Sequence, residues 1–107
     1  MRETLEHIKT LATRGEVQIS AHGYDELAAG GITAREAVEG LAAALLVEDY
    51  PTFGKGPAVL VLEYDTTGNP IHVVWGVPKG LQTPAVLVTA YRPDPAKWDD
   101  SWLKRRK

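Results

Sequence analysis

The stretch Val59 Leu60 Val61 Leu62 Glu63 Tyr64, Asp65 Thr66 Thr67 Gly68 Asn69, Pro70 Ile71 His72 Val73 Val74 Trp75 decides how this chain folds. Two apolar, β-branched runs flank a short connection rich in residues that tolerate positive φ, the pattern of an antiparallel hairpin. Outward from it the same character recurs, so residues 46–50, 57–64, 70–76 and 84–91 are expected as four strands. The loop 77–83, with Pro78 and Gly80, joins the third strand to the fourth. Val59 to Leu62 and Val86 to Val88 are apolar at consecutive positions, which implies a sheet covered on both faces at its centre, by helices or by a partner chain. A homodimer is compatible with that pattern.

Upstream the period becomes helical. Leu5, Ile8, Leu11 and Ala12 define one face of a helix over 3–14 that Gly15 ends. Ser20 is placed to cap a second helix over 21–29, with Tyr24, Leu27 and Ala28 inward and Gly30 Gly31 as its stop. Thr33 and Glu36 have capping-box spacing, and Val38, Leu41, Ala42 and Leu45 line one face of a third helix over 34–45. Downstream, Asp94 as N-cap and Pro95 as first helical residue predict a closing helix over 95–105 that docks Trp98 and Trp102. The order ααα, ββββ, α reads as an α+β fold: N-terminal helices packed on a four-stranded antiparallel sheet, with a short C-terminal helix. At 107 residues, one domain spanning 1–107 is expected.

The chain has no cysteine, which removes disulfides, thiol nucleophiles and thiolate metal sites and fits a cytoplasmic setting. Its N-terminus is charged and no apolar run approaches a membrane span, so no membrane partner is expected. Residues 1 to 50 hold four basic and nine acidic side chains, a net of −5, whereas residues 51 to 107 hold eight basic and five acidic, a net of +3. Such asymmetry allows a cationic face for a polyanion beside an acidic face that repels one, or simply two solvated surfaces.

Few side chains carry chemistry. His22 falls in the first turn of the second helix, where the dipole disfavours imidazolium, so it is a candidate general base or a plain loop partner. His72 interrupts an apolar strand, and antiparallel pairing sets it beside the end of the fourth strand near Thr89 to Tyr91, with Glu63 close on the hairpin. Either Glu63 or Thr89 would satisfy a buried imidazole with no catalytic purpose. Tyr91 and Arg92 leave the fourth strand where their polar ends can converge with His72. Phenol, imidazole and guanidinium suit metal-free cleavage of an RNA phosphodiester, although Tyr91 is equally an ordinary strand-end residue and Arg92 has Asp94 or Glu63 to pair with. Lys97 and the basic end Lys104 Arg105 Arg106 Lys107 suit phosphate contacts, or merely complement a helix C-terminus. Metal-ligand spacing, a phosphate-cradling glycine loop and a nucleophile elbow are all missing, so no metal or other cofactor is expected.

The order Ile19 Ser20 Ala21 His22, Gly31 Ile32 Thr33, Val47 Glu48 Asp49 Tyr50 Pro51, Gly68 Asn69 Pro70 Ile71 His72 Val73 Val74, then Thr89 Ala90 Tyr91 Arg92 Pro93 Asp94 and Lys97 Trp98 resembles the family called domain of unknown function 4258, from about residue 17 to 106. That family is similar to the RelE-like and BrnT-like toxins, small α+β endoribonucleases of toxin–antitoxin pairs. The resemblance implies a RelE-like fold, RNA as substrate and a cognate antitoxin as partner, with His22, His72 and Tyr91 at polar positions typical of the family. One departure stands out. Four residues after the first histidine the family usually carries arginine then methionine, whereas this chain carries Glu26 and Leu27, and a carboxylate there opposes RNA.

Two functional readings follow. In the first the chain is a metal-independent endoribonuclease of toxin type or a degenerate relative, with His72 as base or acid, Tyr91 on the scissile phosphate, Arg92 on its charge and His22 in support. In the second it is a non-catalytic module that binds a protein partner or itself through its sheet or its acidic helical face. A small-molecule pocket between helices and sheet is a third option, without a specific ligand group.

Overall fold

The computed structural model describes residues 3–106. Three helices, α1 (Glu3–Thr13), α2 (Ala21–Ala29) and α3 (Ala34–Glu39), accompany five strands, β1 (Val17–Ile19), β2 (Leu45–Tyr50), β3 (Ala58–Tyr64), β4 (Pro70–Gly76) and β5 (Ala85–Tyr91). The class is α+β, as the sequence predicts. β3 and β4 form the expected hairpin, paired from Ala58↔Gly76 to Tyr64↔Pro70. Its turn is held by Asp65, whose Oδ1 accepts from the Thr67 and Asn69 N–H groups at 3.0 and 2.9 Å, and Gly68 takes φ +83°.

The sheet is larger and less uniform than expected. Its order is β1-β5-β4-β3-β2, and β1 lies parallel to β5 through Val17↔Ala85, Gln18↔Val86 and Ile19↔Leu87. The expected four-stranded antiparallel sheet is therefore a five-stranded mixed one. A three-residue strand is too short to display a period of two, and its partner lies at the far end of the chain.

α1 buries Leu5, Ile8 and Leu11 against one face of the sheet. On α2 the buried residues are Gly23 and Leu27, while the expected Tyr24 points outward, 57% exposed. The helix backbone lies so close to β5 that a Cβ on Gly23 would sit 2.7 Å from the Leu87 carbonyl oxygen. That approach turns the apolar face by one residue. The Thr33/Glu36 capping box forms, but α3 ends at Glu39, continues as a 3₁₀ turn over Gly40–Ala43, and Leu45 already belongs to β2. Ala37 and Leu41 are buried and Val38 is half-buried against the core, whereas Ala42 and Leu45 are exposed. A Cβ on Gly40 would lie 2.7 Å from Glu63 Oε1, so the chain tightens where it crosses β3.

The closing helix does not form. Asp94 behaves as the expected cap, its carbonyl accepting from the Lys97 and Trp98 N–H groups at 2.9 and 3.1 Å, but only one turn follows. Asp99 then binds the Ser101 N–H with its own carboxylate, the Asp99 N–H donates to the Lys104 carbonyl, and Trp98 pairs with Arg105 in an antiparallel bridge. Asx chemistry at Asp99 competes with helix propagation and wins. The result is a folded-back strap, residues 94–106, in which Trp102 takes φ +64°.

The strap lies on the sheet face opposite the helices. Trp98, 3% exposed, packs edge-on against His72 with ring centroids 4.5 Å apart. Both faces are thus covered over His72, from within the same chain, as the consecutive apolar positions of β3 required. No helix among the described residues is long and apolar enough to cross a membrane.

Candidate functional site

Alternation along β4 sends Ile71, Val73 and Trp75 into the helical core and turns His72 to the strap side. Register then assembles a site around it. Tyr91 of β5 stands directly opposite His72, and Leu62 of β3 flanks it on the other side. One row further out, β2 places Glu48 beside Leu60 and Tyr50 beside Ala58 on the same face.

His72 is fully buried, and both ring nitrogens are engaged. Nε2 lies 2.8 Å from the Trp102 carbonyl oxygen, which can only accept, so the proton sits on Nε2. Nδ1, left with a lone pair, accepts from the Tyr91 hydroxyl at 3.1 Å. Burial pushes the imidazole below its ordinary pKa, the Trp102 carbonyl opposing, and burial pushes the Tyr91 phenol up. The pair is neutral and holds one defined tautomer.

The adjoining trio is ionic. Arg105 forks onto Glu48, Nε to Oε2 at 3.0 Å and Nη2 to Oε1 at 3.2 Å, while its guanidinium lies over Trp98 at 4.6 Å from the ring centroid. The Tyr50 hydroxyl donates a hydrogen bond to Glu48. Arg105, with Tyr50 behind it, holds the Glu48 carboxyl below the usual carboxylate range, whereas burial and then Glu48 push the Tyr50 phenol up to about 12. One sheet face thus collects a carboxylate, two protonated phenols, a neutral imidazole and a guanidinium, groups sufficient for proton transfer and for balancing charge on a phosphorane. Among the described residues no three His, Asp or Glu side chains gather as a metal-ligand set.

The remaining residues singled out by sequence lie elsewhere. Arg92 is one step beyond Tyr91, and alternation carries it away from His72. Its Nε donates to the Gly30 carbonyl at 3.0 Å and its Nη1 pairs with Asp65 Oδ2 at 2.8 Å. The Asn69 N–H foremost, with Thr67 and Arg92, holds Asp65 down at about 2. With Tyr91 and Glu26, Arg92 borders a hollow of about 390 Å³. His22 is exposed at the start of α2 and borders a different groove. Glu63 is on the helical face, accepting from Trp75 Nε1 at 3.1 Å, so neither it nor Thr89, which pairs with Val74, partners His72. Lys97 and Lys104 are exposed on the strap, and Arg106 binds the Pro95 carbonyl and Asp100 at 2.8 and 3.1 Å. Lys107 lies outside the described residues.

Glu48 and Tyr50 are absent from the candidates drawn from sequence. Their spacing of two on a strand was the available signal. The bulge between Leu46 and Glu48 shifts the register there, so alternation counted from Leu46 gives the wrong face.

The family model described as "Domain of unknown function (DUF4258)" matches residues 19–92. The match includes Glu48, Tyr50, His72 and Tyr91 and stops short of the strap. No curated protein and no solved structure matches the chain.

Proposed function

We infer that this chain, which belongs to the DUF4258 family, is a metal-independent endoribonuclease of RelE-like, BrnT-like toxin type whose reactive face is closed by its own strap. The observation that carries the reading is the His72–Tyr91 pair set beside Glu48, Tyr50 and Arg105 on one sheet face. A cytoplasmic setting and a small antitoxin partner go with it.

With the strap lifted, the Trp102 carbonyl no longer fixes the proton on Nε2. The imidazole then takes the other tautomer, Nδ1–H donating to the Tyr91 oxygen, and Nε2 faces the strand as a base. It removes the proton of an RNA 2′-hydroxyl, O2′ bonds to phosphorus and the bond from phosphorus to O5′ breaks. Tyr91 gives its proton to O5′ and takes the Nδ1 proton in return. The products are a 2′,3′-cyclic phosphate and a 5′-hydroxyl, and the tautomer left behind is the one the closed strap binds. Arg105 leaves Glu48 as the strap lifts and, carried on the strap's end, is free to pair with the phosphate and balance its charge.

The test is cleavage of single-stranded and ribosome-engaged RNA in EDTA, with products read by mass spectrometry. Cyclic phosphate ends are expected, with a loss of about 10²-fold or more in His72→Ala and Tyr91→Phe. Intact RNA with both the wild-type protein and a Trp98→Ala variant that loosens the strap sinks the reading. The second reading, a non-catalytic module, is favoured by the complete satisfaction of both His72 nitrogens and by Leu45 and Tyr64, 51% and 50% exposed. It expects intact RNA, and self-association in sedimentation that Leu45→Lys abolishes.

A further inference from the structure

The strap covers one end of its sheet face and leaves the other open. There Ala58, Gly76, Val86 and Val88 form the floor of a groove of about 360 Å³, a size suited to a small ligand. Side chains this small on adjacent strands leave a hollow in an otherwise packed face. One wall is the loop between β2 and β3, and that wall is fixed. Gly56 takes φ +125° and lies where a Cβ would come within 2.0 Å of the Val77 carbonyl oxygen, and the Lys79 N–H donates to the Lys55 carbonyl at 2.9 Å. The opposite wall is Ser20, whose hydroxyl donates to the Val88 carbonyl at 3.1 Å and accepts from the Gly23 N–H at 2.8 Å.

Among the described residues, two titratable side chains border the groove, His22 and Lys55, and no carboxylate does. Both are exposed, and neither side chain has a hydrogen bond or ion pair within the described residues. Phe53, 43% exposed, stands on the same rim. An apolar floor, an aromatic edge and basic groups without a counter-charge together fit a flat, weakly polar body that carries an anionic group. Gly76 lies four positions from His72 on β4, about 13 Å along the strand.

We propose that this groove is a nucleotide subsite: it seats one base of a single-stranded RNA against Phe53 and the apolar floor, with the attached phosphate between Lys55 and His22. The assignment rests on the ribonuclease reading and adds a second anchoring point, which sets how the strand crosses His72. Base stacking on one aromatic and one phosphate contact make the subsite tolerant of sequence.

The experiment is an amide NMR titration of the intact protein with AMP, UMP, uridine, benzoate and inorganic phosphate, followed by a four-nucleotide oligoadenylate. AMP and UMP are expected to shift the Ala58, Gly76, Val86 and Val88 signals. Uridine should bind at least fivefold more weakly than UMP, and Phe53→Ala and Lys55→Ala should each weaken UMP at least fivefold. The oligonucleotide should bind at least tenfold more tightly than AMP, because it reaches the His72 end as well. Mononucleotides that leave the groove signals unmoved overturn the proposal, as does benzoate or phosphate alone binding as well as UMP. Equal affinity for AMP and the oligonucleotide overturns the assignment to an RNA strand. The two readings fail separately: RNA cleavage without groove shifts removes only the subsite, and groove shifts in a protein that cleaves nothing remove only the nuclease.

Discussion

Glu63 is the residue most at odds with its surroundings. It is 1% exposed on the helical face, Trp75 supplies one hydrogen bond to Oε2, and Oε1 has no hydrogen-bond partner among the described residues. Burial pushes the carboxyl up to about 8. A carboxyl whose value is raised on folding contributes stability below its unfolded value, near 4.5, and that contribution is lost as pH rises through about 8. Urea unfolding should therefore show stability falling by up to about 4 kcal/mol from pH 4.5 to 8.5, and Glu63→Gln should flatten the slope. A slope that survives the substitution assigns it to another group. Gly40→Ala presses a methyl onto the same oxygen and should cost about 1–3 kcal/mol in the same measurement. Little of this was legible beforehand. Glu63 is one letter in an apolar run, and its face follows only once the hairpin register is known.

At the scale of elements, strands were the most readable feature, since β-branched runs between turn residues need no distant information. β2 to β5 begin and end within one residue of the expected limits. The strap follows the helix expected from sequence for its first turn and departs from it thereafter, because Asp99 and Ser101 close local rings and the Trp102 carbonyl is committed to His72. The His72–Tyr91 approach was legible from strand pairing alone, whereas Arg105 on Glu48 depends on that non-helical path. Trp98→Ala should remove the cover of His72 and cost about 3–5 kcal/mol where the strap docks. By NMR, the His72 ring should then titrate near its ordinary value, against a depressed one in the wild-type protein. A depressed histidine stabilises the closed form above its unfolded value and ceases to do so as pH falls through the folded one, so acid loosens the strap. An unchanged titration in Trp98→Ala would show that the strap is not what buries the ring.

Across the whole molecule, protection is graded. β3 is buried at six of its seven positions at the centre of the sheet, while the strap is a short bridge with mostly exposed side chains. Hydrogen exchange should be slowest in β3 and β4, at the level of global unfolding, and at least about 100-fold faster in 94–106 through local opening. Strap amides as slow as those of β3 would exclude a cover that lifts for substrate. The edge strand β2 carries a bulge and two acidic residues, Glu48 and Asp49, features that discourage pairing with another sheet. The parallel pairing of β1 with β5 bears on biosynthesis as well. Val17 must wait for Ala85, and α2 has its main sheet support in β5, so a chain emerging from the ribosome cannot settle β1 and α2 until β5 has been made. Tyr91 closes that same strand, so the His72–Tyr91 pair first exists when β5 docks, and only then is there a pair for the strap to cover.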